Sequence, residues 1–462
     1  MAHQAHNIPW QLFASNFRYV PFHGSYNNVT NLYPNLKPTQ GKELDYFVQA
    51  FAKNIEEHSR GERVKYPESY EVPGPDDILL SDTLVDKLAP TARRIRLTHE
   101  GREDDSRTYR EQPCSHRLPQ DPKCSCAIPF EERRTAAFLR PRVDNQCYRF
   151  LEENGPAFFN LDIAKALVLH GQMEPLLRVC AHPDVQYLHW WSARECYDTP
   201  ADIGLDQVAK LALSAYLCLN VLYCEPELWD FGSGGAPDRD YRLTHGYQRM
   251  VRECTMSHTR TTIATYPHRQ FFGIAVGHFK GSRRRWEMTI SGSHNGLDGK
   301  MGFPYGQLSV EAFLSHDNSQ QTYLATMDDV QTVRGLLRRT GLPAELALAV
   351  MEAADYVPRR KLPIPHDPLH LDNAEELMHY LKYCWKVLVR CDMLVRELGD
   401  TIPWDFMIAS CIVDLLGVSY HNSYAYTSSP PKPGSMYTML DIDDHEREEN
   451  SLLAPREKIK FL

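Results

Sequence analysis

The 462-residue chain lacks an uninterrupted apolar run of membrane-spanning length: its longest candidate, 208–224, is broken by Lys210, Ser214 and Asn220. That stretch reads as a core helix, and no membrane partner is expected. Residues 1–22 interleave His3, His6, Asn7, Gln11 and Asn16 with their apolar positions, so they lack the apolar core of a secretory signal. The expectation is an intracellular protein of cytoplasm or nucleus. Positive charge is also short, with 51 Lys and Arg against 60 Asp and Glu, a net charge of −9. Such a balance gives no global attraction to nucleic acid or to anionic lipid. The twelve cysteines are not packed into a short scaffold. Cys218, Cys384, Cys391 and Cys411 fall in helical apolar patterns, where a reduced thiol acts as a small hydrophobe. Familiar catalytic signatures are missing too: GxSxG, HExxH, GxxxxGK(S/T) and the HxE and PCxxC pair of zinc deaminases are all absent. Each absence removes a reaction class, and none supplies one.

Glycine is scarcer than proline, 25 against 31, the reverse of the usual order. The prolines mark where helices stop. Residues 1–42, rich in Asn, Tyr, Pro and Gly, read as an irregular arm with short extended pieces and aromatics that suggest docking. Apolar residues at 44, 47, 48, 51, 52 and 55 predict a first helix. Asp76 and Asp77 supply N-cap chemistry for a short helix ending at Leu88. The charged, aperiodic stretch 93–122 reads as an exposed loop. Short helices are predicted over 149–153, 161–170 and 174–180, and a central core helix over 205–222.

Runs rich in β-branched and aromatic residues at 261–266, 271–279 and 285–290 predict an antiparallel meander, followed by a glycine-rich loop at 291–306. Helices return over 328–339 and 342–354. Pro358, Pro363, Pro365 and Pro368 then impose an extended connector. Asn373, with Glu376 three residues on, opens the best-patterned helix, which Gly399 ends, and a last helix covers 404–416. The predicted class is α+β: predominantly helical, with a small antiparallel β-meander and a helical C-terminal subdomain. The predicted divisions are an arm and loop region at 1–130, a central region at 131–327, a helical subdomain at 328–426 and an acidic tail at 427–462.

Two groups carry candidate chemistry. Cys114, His116, Cys124 and Cys126 are four zinc-type ligands in one polar loop, although each pair is separated by one residue where structural zinc sites favour two. They support a zinc-stabilised binding module, with zinc as the candidate cofactor; the competing reading is an exposed loop of reduced thiols. His278, His294 and Asp298, on and after the meander, are candidate acid–base groups, because imidazole titrates near neutral pH and strand ends bring polar side chains together. With 20 histidines in the chain, scattered surface imidazoles are the competing reading. A basic turn at Lys280, Arg283, Arg284 and Arg285 beside Trp286 reads as a solvated hairpin tip.

In the C-terminal part, Leu342-Pro343-Ala344-Glu345-Leu346 and then Tyr383-Cys384-Trp385-Lys386-Val387-Leu388-Val389 resemble the opening and close of an F-box, over about 341–395. That resemblance implies a Skp1-type adaptor as partner, with Leu342, Pro343, Leu346 and Trp385 in the docking surface. The proline-rich connector inserted at 356–372 departs from the F-box pattern. Lys382, Lys386 and Arg390, four residues apart, line a cationic stripe opposite the Leu and Trp face, suited to an acidic partner or to the chain's own acidic run at 441–449; a solvated face is the competing reading. The stretch 342–404 also resembles a segment found in proteins of filamentous fungi, which implies a host lineage and no activity. The leading expectation is thus an intracellular protein-interaction adaptor with a helical docking surface. The alternatives are an enzyme of a fungal specialised-metabolite pathway, with its acid–base site by the loop 291–306, and the zinc module.

Overall fold

Short aromatic-rich pieces of the N-terminal arm can gain stability only by packing on something larger, and that is what they do. In the computed structural model, residues 3–5, 7–21, 29–34, 40–99, 126–143, 150–193, 203–224, 239–256, 262–279, 305–315, 325–354, 356 and 360–416 are described. Helix α1 (Trp10–Ala14) leads into β1 (Phe17–Val20), which pairs antiparallel with β2 (Asn31–Pro34), Phe17 opposite Pro34 and Val20 opposite Asn31. This is the only sheet among the described residues. Phe13 stacks on Phe47 of α2 (Gln40–Arg63) at 3.8 Å, and Trp10 meets Phe47 and Phe51 edge-on.

Helix α3 (Asp82–His99) starts later and ends later than expected. Asp77 does not cap it; its carboxylate accepts from the Gly74 amide at 2.9 Å and closes a separate turn, while Ser81 Oγ accepts from Leu84 at the helix start. The helix runs through Pro90, so 93–99 is helical and not loop. After α4 (Thr135–Phe138), the two short helices expected at 149–153 and 161–170 are one, α5 (Phe150–His170), which continues through Gly155 and Pro156. Helices α6 (Glu174–Cys180) and α7 (Asp206–Cys224) agree with the pattern reading, and α7 is buried on nearly every side.

The expected meander is corrected. Residues 262–272 form α9 (Thr262–Phe272), after α8 (His245–Thr255), and 273–279 form turns; 285–290 lie outside the described residues. Thr262, Ile263, Thr265 and Tyr266 favour strands in isolation, but Ala264, His268 and Phe271 are buried at helical spacing, and packing overrides a β-propensity that is itself a packing effect.

A six-residue helix, α10 (Val310–Ser315), precedes a helical hairpin of α11 (Met327–Arg339) and α12 (Ala344–Ala353). Thr326 and Asp329 form a reciprocal capping box at the start of α11, and Gly341, at φ 84°, makes the left-handed turn between the helices. Helices α13 (Ala374–Glu397) and α14 (Trp404–Leu416) follow. Helix α13 packs between α2 and α7, with Trp385 stacked on Phe51 at 5.9 Å. Buried Asp392 binds both the Trp404 indole N–H, at 2.8 Å, and Arg396 Nε, at 2.7 Å, tying α13 to α14. One hydrophobic cluster extends from Ala5 to Leu416 and leaves out α11 and α12. The predominantly helical α+β class is borne out, with its small sheet in the arm.

Candidate functional site

The connector between α12 and α13 is not the extended segment its prolines suggested but a series of bends and turns over 363–370, and a buried side chain pins it. Asn373 stands at the N-cap of α13 but does not cap it. Its amide turns back instead: Nδ2 donates to the carbonyls of Ile364 (2.8 Å) and Asp367 (2.6 Å), and Oδ1 accepts from the Ile364 amide (2.8 Å). Between these anchors His366 adopts φ 61°, a left-handed conformation that non-glycine residues rarely take. Such strain persists only where its surroundings fix it, and it concentrates at functional sites.

A second rigid turn faces the connector. Asp240 accepts from the Arg242 amide and pairs with its guanidinium at 2.7–3.0 Å. Thr244 caps α8 by accepting from the Tyr247 amide, and its hydroxyl donates to the Tyr241 carbonyl. The Tyr241 hydroxyl donates to Asp367 Oδ1 at 2.5 Å and accepts from the Leu369 amide at 3.2 Å, joining the two turns. Fully buried Gln248 donates to the carbonyls of Arg242 and Leu308 and accepts from the Gly306 amide, which sets the segment leading to α10.

These supports frame a crevice lined by Arg242, Tyr247 and His366 and by Phe272, Ile274 and Phe313, with Val251, Val310 and Leu314 completing its apolar wall. It is partly open to solvent and has about 10 Å³ of space, the room of roughly one water molecule. Burial, and then the charges of Arg360, His278 and Arg242, pull the His366 pKa down to about 4, so its imidazole is neutral at pH 7. Burial raises the Tyr247 and Tyr241 phenols well above 10, so both keep their protons as donors. Burial opposes the charge on Arg242, but the hydrogen bonds and attraction of Asp240 outweigh it and keep the guanidinium charged.

Of the sequence-predicted acid–base set, His278 lies on the turn after α9 and does not line the crevice, and its ring meets Phe279 edge-on; His294 and Asp298 lie outside the described residues. Cys114, His116 and Cys124 also lie outside them. Cys126 is half-buried, its carbonyl accepting from Arg96 at 3.0 Å, and among the described residues no three His, Cys, Asp or Glu side chains gather as metal ligands. The site residues were missed because none matches a motif. The one signal was the run from Arg360 to His370, in which Pro363, Pro365 and Pro368 surround His366 and Asp367.

The predicted docking residues separate into two environments. Leu342 is half-buried, and Pro343 and Leu346 are exposed on the hairpin. Trp385 is only 4% exposed, and its indole donates to His58 Nδ1 at 3.0 Å, so it belongs to the core. Lys382 and Lys386 face solvent, but Arg390 does not complete an exposed stripe: it packs across Gly171 and donates to the Val168 carbonyl at 3.0 Å, at the end of α5.

A family model described as gramillins biosynthetic cluster protein GRA5 matches residues 11–428. The chain belongs to this family. No curated protein and no solved structure matches it. Membership in the GRA5 family overturns the F-box resemblance, because the match takes in 341–395 within one family-wide span and carries no F-box signal. The expected F-box-like adaptor role falls with it. The GRA5 match also spans the crevice, from Asp240 to Asn373, and points to a specialised-metabolite pathway.

Proposed function

We propose that the protein is an enzyme of a specialised-metabolite pathway and that it works at the His366 crevice. The family to which the chain belongs supports the pathway. The observation that supports the site is His366 itself, a neutral imidazole held at φ 61° between two pinned turns and beside Arg242 and Tyr247. In this reading the neutral His366 imidazole and the Tyr247 phenol hydrogen-bond to the reacting group of the substrate, and Arg242 orients it. The Tyr241–Asp367 contact keeps the connector in register with the turn at Arg242.

The test is gene replacement in the host with His366→Asn, which tolerates the left-handed backbone, followed by metabolite profiling against a deletion strain. The expected result is loss of the pathway product to the deletion level, while the purified variant melts within about 2 °C of the wild type. Product at the wild-type level overturns the site. An unchanged profile in the deletion strain overturns the pathway role.

A further inference from the structure

Apart from Glu345 and Glu352 every residue of α12 is apolar, a composition that belongs in a core. Yet of its described side chains only Ala347 and Met351 are buried. On α11 the half-buried positions Val330, Val333 and Leu337 recur at helical spacing and face α12, while Ala347 and Met351 face back. Leu336 stands one residue before Leu337, and Leu346 and Val350 stand one residue before Ala347 and Met351. In antiparallel neighbours, positions that precede the facing ones by one residue lie on the same side of the pair, because turning a helix end over end reverses both its direction and the side it presents. Leu336, Leu346 and Val350 therefore share one face of the hairpin, and all three are 46–56% exposed. A contiguous apolar face left open in this way marks an interaction surface.

The charges along α11 select the occupant. Asp328 stands in its first turn and Arg338 and Arg339 in its last, and all three are exposed. Asp328 and Arg339 are about three helical turns apart, so they fall on one edge of the helix. Between them on that edge are only Thr332 and Gly335, and a Cβ built on Gly335 would meet nothing within 4 Å, so a second helix can come close. An edge that is acidic at one end and basic at the other is complementary to itself when run antiparallel. Asp328 of one copy then meets Arg339 of the other, and the same two-fold axis makes the reverse contact, as an isologous interface requires. A segment of one charge sign from another protein would match only one end.

We propose that the α11–α12 hairpin docks a second copy of this chain, the two hairpins stacking as an antiparallel four-helix bundle with Leu336, Leu346 and Val350 of each inside and the Asp328–Arg339 pairs at the rim. The face is about 20 Å long and two helices wide, so each copy buries on the order of 500 Å², the low end of specific interfaces. Pairing is therefore reversible and depends on concentration. The proposal is independent of the crevice and of its chemistry.

The experiment is sedimentation velocity of the full-length protein at low ionic strength, from about 0.1 to 100 μM, a range that brackets a weak interface. The expected result is monomer at the lowest concentration and dimer at the highest. Leu346→Asp, which leaves the dilute monomer folded because the residue is exposed, weakens association about tenfold or more, as for a charge placed in an apolar interface. Asp328→Arg and Arg339→Asp each bring like charges together and weaken association when alone; mixed one to one they regain it, since each supplies the charge the other now needs. Circular dichroism checks that Asp328→Arg, at a helix start, still folds, and where it does not, Leu346→Asp decides alone. A chain that stays monomeric to the highest concentration, or a dimer that Leu346→Asp leaves intact, overturns the proposal. A mixture that associates no more tightly than its components overturns the antiparallel pairing. A dimer that forms only after removal of residues 427–462 makes that segment the occupant of the face and overturns the proposal as well.

Discussion

Two neighbouring parts of the C-terminal region, α13 and the α11–α12 hairpin, carry apolar residues at helical spacing, yet they have opposite fates. The stripe of α13 is buried, with Leu377, Leu381, Cys384, Leu388 and Val395 all at 1% exposure or less. Helix α11 buries no residue, and on α12 Leu346, Leu348 and Val350 are 56, 53 and 46% exposed. The difference lies in what comes to meet them. Helix α13 is covered by α2 and α7, which are distant in sequence, while α11 and α12 pack chiefly on each other. Periodicity announces that a helix has an apolar face; only the tertiary fold says whether that face is covered. The pinned connector with His366 joins the two regions.

The contrast can be broken by mutation. Trp385→Ala removes a ring that touches Phe51, Tyr216 and His58 in the core and is expected to cost about 3–5 kcal/mol in urea unfolding. A loss below about 1 kcal/mol would return Trp385 to the surface.

Acid gives the next effect. Burial holds His245 and His268 neutral, with folded pKa values of about 3, against about 6.5 in an unfolded chain. The unfolded state therefore takes up protons first as pH falls, so this stabilisation is complete above pH 6.5 and is lost progressively from there towards pH 3. The nearby groups do not reverse the sign: Arg249 further disfavours charge on His245, and His268 Nδ1 meets the Tyr380 hydroxyl at 2.6 Å. Melting temperature is expected to fall between pH 7 and pH 4.5. His268→Gln should flatten that slope while lowering the melting temperature at pH 7.

Asn373→Ala leaves the Ile364 amide and two carbonyls without their partner, at an expected cost of about 1–3 kcal/mol. The smallest effect is expected on the hairpin, where Leu346→Asp should change unfolding free energy by about 0.5 kcal/mol or less. A larger loss would mean that α12 is covered after all.

How much of this was legible in the sequence depends on whether local pattern or long-range contact decides each piece. The limits of α7, α11 and α14 follow from periodicity and caps and were readable. The β-rich composition of 261–279 misled because α9 is held by partners that no local window contains. His278 was chosen on a mistaken strand and stands on a turn after α9. His366 was passed over because a left-handed residue is signalled by glycine, and here the conformation is imposed by Asn373 and the flanking prolines. Arg390 looked exposed because four-residue spacing cannot show the carbonyls of α5 that meet it, and Trp385 was placed in a docking surface by the F-box resemblance, which cannot show the rings of α2 that cover it.

The central claim, that the crevice and not the exposed hairpin does the protein's work, is tested most directly by two strains in which the gene is replaced by His366→Asn or by Leu346→Asp. The pathway product is measured in each against wild type and deletion. The account predicts product at the deletion level with His366→Asn and at the wild-type level with Leu346→Asp. Normal product with the first and loss with the second would contradict it.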